Sequence, residues 1–522
     1  MFARHAGRLC AAFSLCCVFI VPAQASIERI TCPDAGPDAG PDAGTPAAPT
    51  PEITAPNRVH ALLDKLDQLR AQHAIPAYGI ALAACAAPAF VAARGSLPGL
   101  DADTPFRIGS ITKTFTALAM LRLAEQQHID LDAPLEALVH HAPPGAWPFV
   151  NPWARTDPIT PAMLLEHTAG FGELTAREWA YQAARPISLS EGLALDPSSR
   201  RSLWRPGTLH VYSNASPGLI GWLIEQRQQQ TFEAFVRHAV LQPLHMRNAG
   251  FLPNEHNARR LVAGYKADGR TPIPYWHQHI HAYAALHASP RDMSKLLAML
   301  LADGAPLLVP RSFERMLTPR TSLAARRGLA VGYGLGIYGS VRNGFVFYGH
   351  GGDADGYLSR FGFLRDAGRA YFVVINTDNP PALAAFRSAI ERWLTADLAV
   401  PQQRPYDAAS ALDLTRFTGV YRRAASRFAG LLQAAPGATA NRKQRAPSGE
   451  LMVSLYRVNQ QLRGLQLSGA VDALLLPTAA PGQFSRSPDA IATSIFAEEH
   501  GELYLQGDLG NFIRTTASAH AP

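Results

Sequence analysis

Ser110 and Lys113 lie three residues apart in the stretch Phe106-Arg107-Ile108-Gly109-Ser110-Ile111-Thr112-Lys113-Thr114-Phe115. A serine hydroxyl becomes a useful nucleophile only when a neighbouring base takes its proton, and a neutral lysine amine is such a base. Residues i and i+3 share one helical face, so a helix beginning near Gly109 and Ser110 brings hydroxyl and amine together. The first N–H groups of a helix have no helical partner and favour negative charge. One turn of chain thus offers a nucleophile, a base and a donor for a developing oxyanion. The apolar run that follows, from Ala117 through Ala124, predicts a buried helix ending near Gln127.

The choice of lysine is informative. Lys65, Lys113, Lys266, Lys295 and Lys443 are the only lysines, and every other basic residue is arginine. Arginine keeps its proton in proteins, whereas a desolvated lysine can release it. No other lysine has a serine three residues before it.

Two more groups carry chemistry. Tyr212-Ser213-Asn214 follows a turn at Pro206-Gly207 and precedes a predicted helix from Pro217 to Gln228. A tyrosine beside a cationic lysine shares its proton more readily, and an asparagine amide both donates and accepts. Gly349-His350-Gly351-Gly352-Asp353 ends a predicted strand, where glycines let a ligand approach the backbone. Read singly, the first is a capping turn and the second a glycine-rich bulge. Together, and in this order with Ser110 and Lys113, they are far more specific.

With these residues the chain resembles the penicillin-binding serine hydrolases: class C β-lactamases, D-alanyl-D-alanine carboxypeptidases, D-aminopeptidases and related esterases. Ser110-Ile111-Thr112-Lys113, Tyr212-Ser213-Asn214 and His350-Gly351-Gly352 match the family's three motifs. His167-Thr168-Ala169-Gly170 and Tyr333-Gly334-Leu335-Gly336 resemble its accessory segments. The resemblance covers about residues 57–400, and Phe417-Thr418-Gly419-Val420-Tyr421 resembles the opening of a β-barrel appended to some members.

The resemblance implies that Ser110 is acylated, that Lys113 and Tyr212 share acid–base work, and that Asn214 orients a substrate amide. It implies an oxyanion hole from the backbone N–H groups of Ser110 and Asp353, with His350, Gly351 and Gly352 along the substrate. It implies no cofactor and no metal. His350 stands where class C β-lactamases carry lysine. Histidine is only partly charged near neutral pH, which points away from a dedicated β-lactamase.

The elements that must position these residues read as α+β. Val59, Leu62, Leu63, Leu66 and Leu69 have helical spacing, ended by Pro76. Strands are expected at 77–86 and 89–94, then at 332–340, 345–349, 356–364 and 370–376, with a hairpin turn at Asn343-Gly344. Helices are expected at 290–302 and 381–398. An antiparallel sheet built from both ends of this unit, flanked by helices, is the expected β-lactamase/transpeptidase-like domain over 57–400. Beyond a Pro/Gln-rich join, residues 408–522 read as a small all-β barrel or sandwich, with strands at 417–421, 450–456, 462–466, 473–476, 493–497, 501–506 and 511–515.

Residues 1–25 have a basic flank (Arg4, Arg8), an apolar run from Leu9 to Val21 and a small-x-small site at Ala23-Gln24-Ala25, and read as a secretory signal. The run is shorter than the ~20 residues a membrane span needs. Residues 26–56, with Pro-Asp-Ala-Gly repeated three times, read as a tether too poor in apolar side chains to fold. Removal of the signal leaves Cys32 and Cys85. One disulfide between them is an option in an oxidising compartment, but Cys85 in an apolar strand reads better as a free buried thiol.

The formal charge of +7, about +5 without Arg4 and Arg8, is mild, and no basic run argues for nucleic acid. The expected protein is a secreted, periplasmic serine hydrolase acting on a small amide, D-amino-acid peptide or ester, with peptidoglycan as an optional partner and no membrane span after signal cleavage. The alternative is a penicillin-recognising or peptidoglycan-binding protein that turns over slowly. A metal-dependent hydrolase using His277, His279, His281 and His287 ranks behind both, because no second metal-binding pattern accompanies them. Asp355 and Arg360 follow the third motif and either could tune substrate choice, though they read better as an ordinary strand-end pair.

Overall fold

The computed structural model describes residues 56–401 and 413–515, apart from 86, 88, 140–146, 184–185, 252–259, 426–451, 459–460, 467–472 and 488–489. The signal, the tether, Cys32 and most of the 424–449 loop lie outside the described residues.

Six antiparallel strands form the central sheet: β1 (Ala77–Ala84), β2 (Phe90–Gly95), β3 (Tyr338–Arg342), β4 (Phe345–Ala354), β5 (Tyr357–Leu364) and β6 (Arg369–Ile375). Their order is β2-β1-β6-β5-β4-β3, so the two early strands lie against the last one. Alternation along β1 divides the core. Ala77, Ala81 and Ala83 face one hydrophobic cluster, and Tyr78, Ile80 and Leu82 face another. Helices α1 (Pro56–Gln72) and α5 (Pro380–Thr395) cover the second face. Helices α2 (Thr112–Gln127), α3 (Ala215–Gln228) and α4 (Pro290–Leu301) lie on the first. A sheet covered on both sides explains why all of β1 is buried.

The expected hairpin turn has Asn343 and Gly344 both at positive φ, 51° and 85°. The strand expected at 332–340 begins only at Tyr338. Gly336 breaks it with φ of 69°, and its carbonyl is taken by Thr114 Oγ1 of α2 at 2.8 Å rather than by a strand. Cys85 is also a correction. It is disulfide-bonded, not a free buried thiol. It sits half-buried just past the end of β1, at the rim of the core rather than inside it.

The C-terminal strands are β7 (Gly419–Arg423), β8 (Met452–Val458), β9 (Gln461–Gln466), β10 (Ala473–Pro477), β11 (Gln483–Ser485), β12 (Ser494–Glu499), β13 (Glu502–Gly507) and β14 (Gly510–Arg514). They close into a barrel through pairing of β7 with β14, which decides between barrel and sandwich. Sequence periodicity misses β11, whose three residues are too few to show alternation. Among the described residues no helix is long and apolar enough to cross a membrane.

Candidate active site

The nucleophile stretch begins as a two-residue strand, Phe106–Arg107, paired with His287–Ala288. A 3-10 turn over Gly109–Ile111 then leads into α2. Gly109 has φ of 53°, and a Cβ there would lie 2.6 Å from the Asp353 nitrogen. Glycine therefore serves twice, permitting the turn and letting Ser110 approach β4. Alternate threonines fasten the helix start to its surroundings. Thr112 Oγ1 donates to the Gly109 carbonyl at 2.6 Å and accepts from the Leu286 N–H at 3.1 Å. Thr116 Oγ1 donates to the Ala282 carbonyl at 2.8 Å. Every residue from Thr112 to Leu121 is buried, so α2 is a rigid post inside the core.

Lys113, 2 % exposed, spans the gap between the first and second motifs. Its Nζ lies 3.0 Å from Ser110 Oγ, 2.7 Å from Asn214 Oδ1 and 3.0 Å from the Tyr283 carbonyl oxygen. The last two atoms only accept. They take two N–H bonds and leave the third direction facing the serine. With a neutral amine that direction holds the lone pair, aimed at the Ser110 hydroxyl. The Tyr212 ring lies beside the same nitrogen, 4.9 Å from centroid to Nζ, and packs tilted against His167 with centroids 4.4 Å apart.

Asn214 precedes α3 but does not cap it. Its Oδ1 serves Lys113 and its Nδ2 donates to Glu173 Oε2 at 3.2 Å, leaving one amide hydrogen for a ligand. Glu173 is buried and linked to the lysine through the Asn214 amide. Neither Glu173 nor the Tyr283 carbonyl was legible in the sequence. Glu173 follows the His167–Gly170 loop without a motif of its own, and a backbone carbonyl leaves no sequence signal.

The third motif lies on β4. Pairing with β3 ends at Gly349, so Gly351, Gly352 and Asp353 run along a strand edge that no other strand pairs among the described residues. The opposite edge pairs with β5 as far as Ala354. His350 is buried. Its Nδ1 donates to the Gly351 carbonyl and its Nε2 accepts from the Tyr333 hydroxyl, both at 2.6 Å, an assignment that follows because a carbonyl can only accept. Burial first, and then the nearby Lys113 charge, lower its pKa to about 3. His350 is therefore neutral at physiological pH, not partly charged.

Ser110, Tyr212, Asn214 and His350 line one cavity of about 580 Å³ with Gly351, Gly352 and Asp353. Trp179 and Tyr283 form another wall, and Asp355 and Arg360 also line it. Arg360 reaches over Gly351, where an added Cβ would lie 3.0 Å from its Cζ, towards the Tyr338 ring 5.7 Å away. All eight residues singled out in the sequence thus line this cavity or, for Lys113, join its wall. The arrangement can deprotonate Ser110, hold a carbonyl against the edge of β4 and return a proton to a leaving group.

The histidines after Trp276 go to separate partners. His277 Nε2 donates to the Ala183 carbonyl at 3.0 Å, His279 stacks on Tyr181, His281 Nδ1 meets Glu233 at 2.5 Å, and His287 stacks on Tyr275. No group of three or more His, Cys, Asp or Glu suited to a metal ion occurs among the described residues.

Comparison with known proteins agrees with this geometry. The beta-lactamase family model matches residues 62–395. The putative penicillin-binding protein PbpX of Bacillus subtilis (strain 168) is 27% identical over 253 residues, 47% of this chain and 57% of that protein. The chain spans from about a third to a little over half of the length of the curated relatives it matches. The octameric penicillin-binding protein homologue from Pyrococcus abyssi has a TM-score of 0.53 at 20% identity, covering 87% of this chain and 100% of that one. D-amino acid amidase from Ochrobactrum anthropi SV3, complexed with L-phenylalanine amide, has a TM-score of 0.51 at 19% identity, covering 64% of this chain and 99% of the amidase.

Proposed function

Because this chain belongs to the beta-lactamase family, we propose that it is a secreted serine hydrolase that cleaves a small amide, D-amino-acid peptide or ester through an acyl-enzyme on Ser110. The observation that carries this is the three-way coordination of Lys113 Nζ by Ser110 Oγ, Asn214 Oδ1 and the Tyr283 carbonyl at the wall of one cavity. Attack by Ser110 Oγ on the substrate carbonyl transfers the hydroxyl proton into the Lys113–Tyr212 pair. The oxyanion is stabilised by the N–H groups of Ser110 and Asp353, worth about 3–4 kcal/mol per donor in such sites. The pair then gives the proton to the departing amine or alkoxide. Water repeats the sequence on the acyl-enzyme and regenerates Ser110.

Neutral His350 leaves the third motif without a cation of its own, which favours amides and esters over β-lactams. The signal-like first 25 residues support export to the periplasm.

The test is intact-mass measurement after mixing with a penicillin, a D-alanyl dipeptide mimic and a short-chain ester. A Ser110-dependent mass increase is expected, with turnover of the ester or the D-peptide and none in Ser110→Ala. Acylation of Ser110→Ala would refute the assignment. Stoichiometric labelling with no turnover of any probe would replace it with the slow, penicillin-recognising alternative.

A further inference from the structure

Tyr212 stands between two cavities. In front is the Ser110 cavity. Behind is a second, of about 470 Å³, between the helices-and-sheet unit and the barrel, and Tyr212 and Tyr338 line both. The Tyr212 ring packs against His167 and lies beside Lys113, with open space on two sides, and its place also depends on the backbone of residues 207–213.

That segment is held along both edges. On one edge the Gly207 N–H donates to the Thr168 carbonyl and the Val211 N–H to the His167 carbonyl, both at 2.8 Å, while the Ser213 N–H donates to His167 Nδ1 at 3.2 Å. On the other edge the Leu323 N–H donates to the Thr208 carbonyl at 3.0 Å, and the barrel adds side-chain donors. Asn511 Nδ2 donates to the His210 carbonyl at 2.7 Å. Gln506 Nε2 donates to the Thr208 carbonyl at 3.1 Å, and its Oε1 accepts from the Ala324 N–H at 2.8 Å. Gln506 and Asn511 are directly opposite each other across β13 and β14, so their side chains share a face. Their neighbours Leu505 and Phe512 fill the barrel core, which turns both amides outward. The barrel thus presents a matched pair of amide donors to alternate carbonyls, four and two residues before Tyr212.

We propose that Gln506 and Asn511 are positioning residues for Tyr212, and that the barrel completes the active site by holding this segment. The inference rests on the proton-transfer role proposed for Tyr212. Arg326, whose Nη2 donates to Glu499 of the barrel at 2.7 Å, also donates through Nη1 to the Gly207 carbonyl, whereas other docking contacts lie clear of residues 207–213. Gln483 Nε2, for example, donates to the Gly328 carbonyl at 3.0 Å.

The test uses the full chain and a short-chain aryl ester. Asn511→Asp and Gln506→Glu keep size and shape but replace the donor with an acceptor. Each should lower kcat by about 10- to 100-fold, as small misplacements of catalytic groups do, with KM within about twofold. In a Tyr212→Phe background each should add no more than about twofold, because its effect runs through the phenol. Asn511→Ala gives the same reading should the acidic variants fail to fold. Gln483→Ala should leave kcat unchanged. Undiminished kcat in the amide variants overturns the proposal, as does an equal loss in the Tyr212→Phe background or in Gln483→Ala. Tyr212→Phe alone separates the two readings. No loss there refutes the role of Tyr212, whereas a loss there with none in the amide variants refutes only the positioning.

Discussion

Two carbonyl acceptors, Asn214 Oδ1 and the Tyr283 oxygen, orient the Lys113 amine towards Ser110, and the mechanism proposed above uses that orientation rather than proximity alone. Arginine at this position keeps the charge but has no lone pair to offer. Lys113→Arg should therefore lower the acylation rate by at least ~10²-fold, read by stopped-flow labelling, while the chain still folds. Glu173→Gln removes the buried negative charge behind Asn214 and keeps the acceptor. It should change the pH profile of kcat more than KM, and an unchanged profile would show that Glu173 does not act through the lysine. The sequence pointed to Ser110, Lys113, Tyr212 and Asn214 because those residue types, in that order and spacing, carry a local pattern. It was silent on Glu173, Gln506 and Asn511, since a single buried carboxylate or amide has no pattern until the chain is folded around it.

At the scale of elements, the site is a meeting of one turn, one extended segment and one strand edge. The turn depends on Gly109, which combines positive φ with contact against Asp353. Gly109→Ala should destabilise the fold by about 1–3 kcal/mol and push Ser110 away from β4. Chemical denaturation and the labelling rate should both register it. The strand edge is available because β3 stops pairing at Gly349. A strand running continuously from 332 would carry β3 further from that hairpin, and Gly336 prevents it by turning the chain towards α2. Alternating hydrophobicity alone overestimates this strand, because apolar residues in a buried turn read like those in a strand.

For the whole molecule, burial of histidines has a consequence for acid stability. Burial lowers the pKa of His210 to about 4, and burial with neighbouring positive charge lowers those of His287 and His350 to about 3. Between these values and the ordinary 6.5 the unfolded chain binds more protons than the folded one, so stability rises with pH across that window and is lost as pH falls through it. The melting temperature should drop progressively from about pH 6.5 towards pH 4. His350→Gln, whose amide can donate and accept like the neutral imidazole, should make that decline shallower. An identical slope in the variant would place the charge elsewhere.

The amino-acid sequence by itself determined the chemistry and the order of its parts. A scarce lysine three residues after a serine, a tyrosine–asparagine pair and a glycine-rich strand end are constraints on residue type and spacing, and these are local. It also determined most elements, because helices and strands longer than a few residues carry their own periodicity. What the tertiary structure alone decided is contact at long range. It set the neutral state of His350, which depends on burial and on the Lys113 charge that folding brings near it. It recruited the Tyr283 carbonyl, 170 residues from Lys113. It also brought the barrel's Gln506 to the Thr208 carbonyl across 298 residues of chain. Such partners are chosen by where folded surfaces meet, and no spacing in the linear chain encodes that.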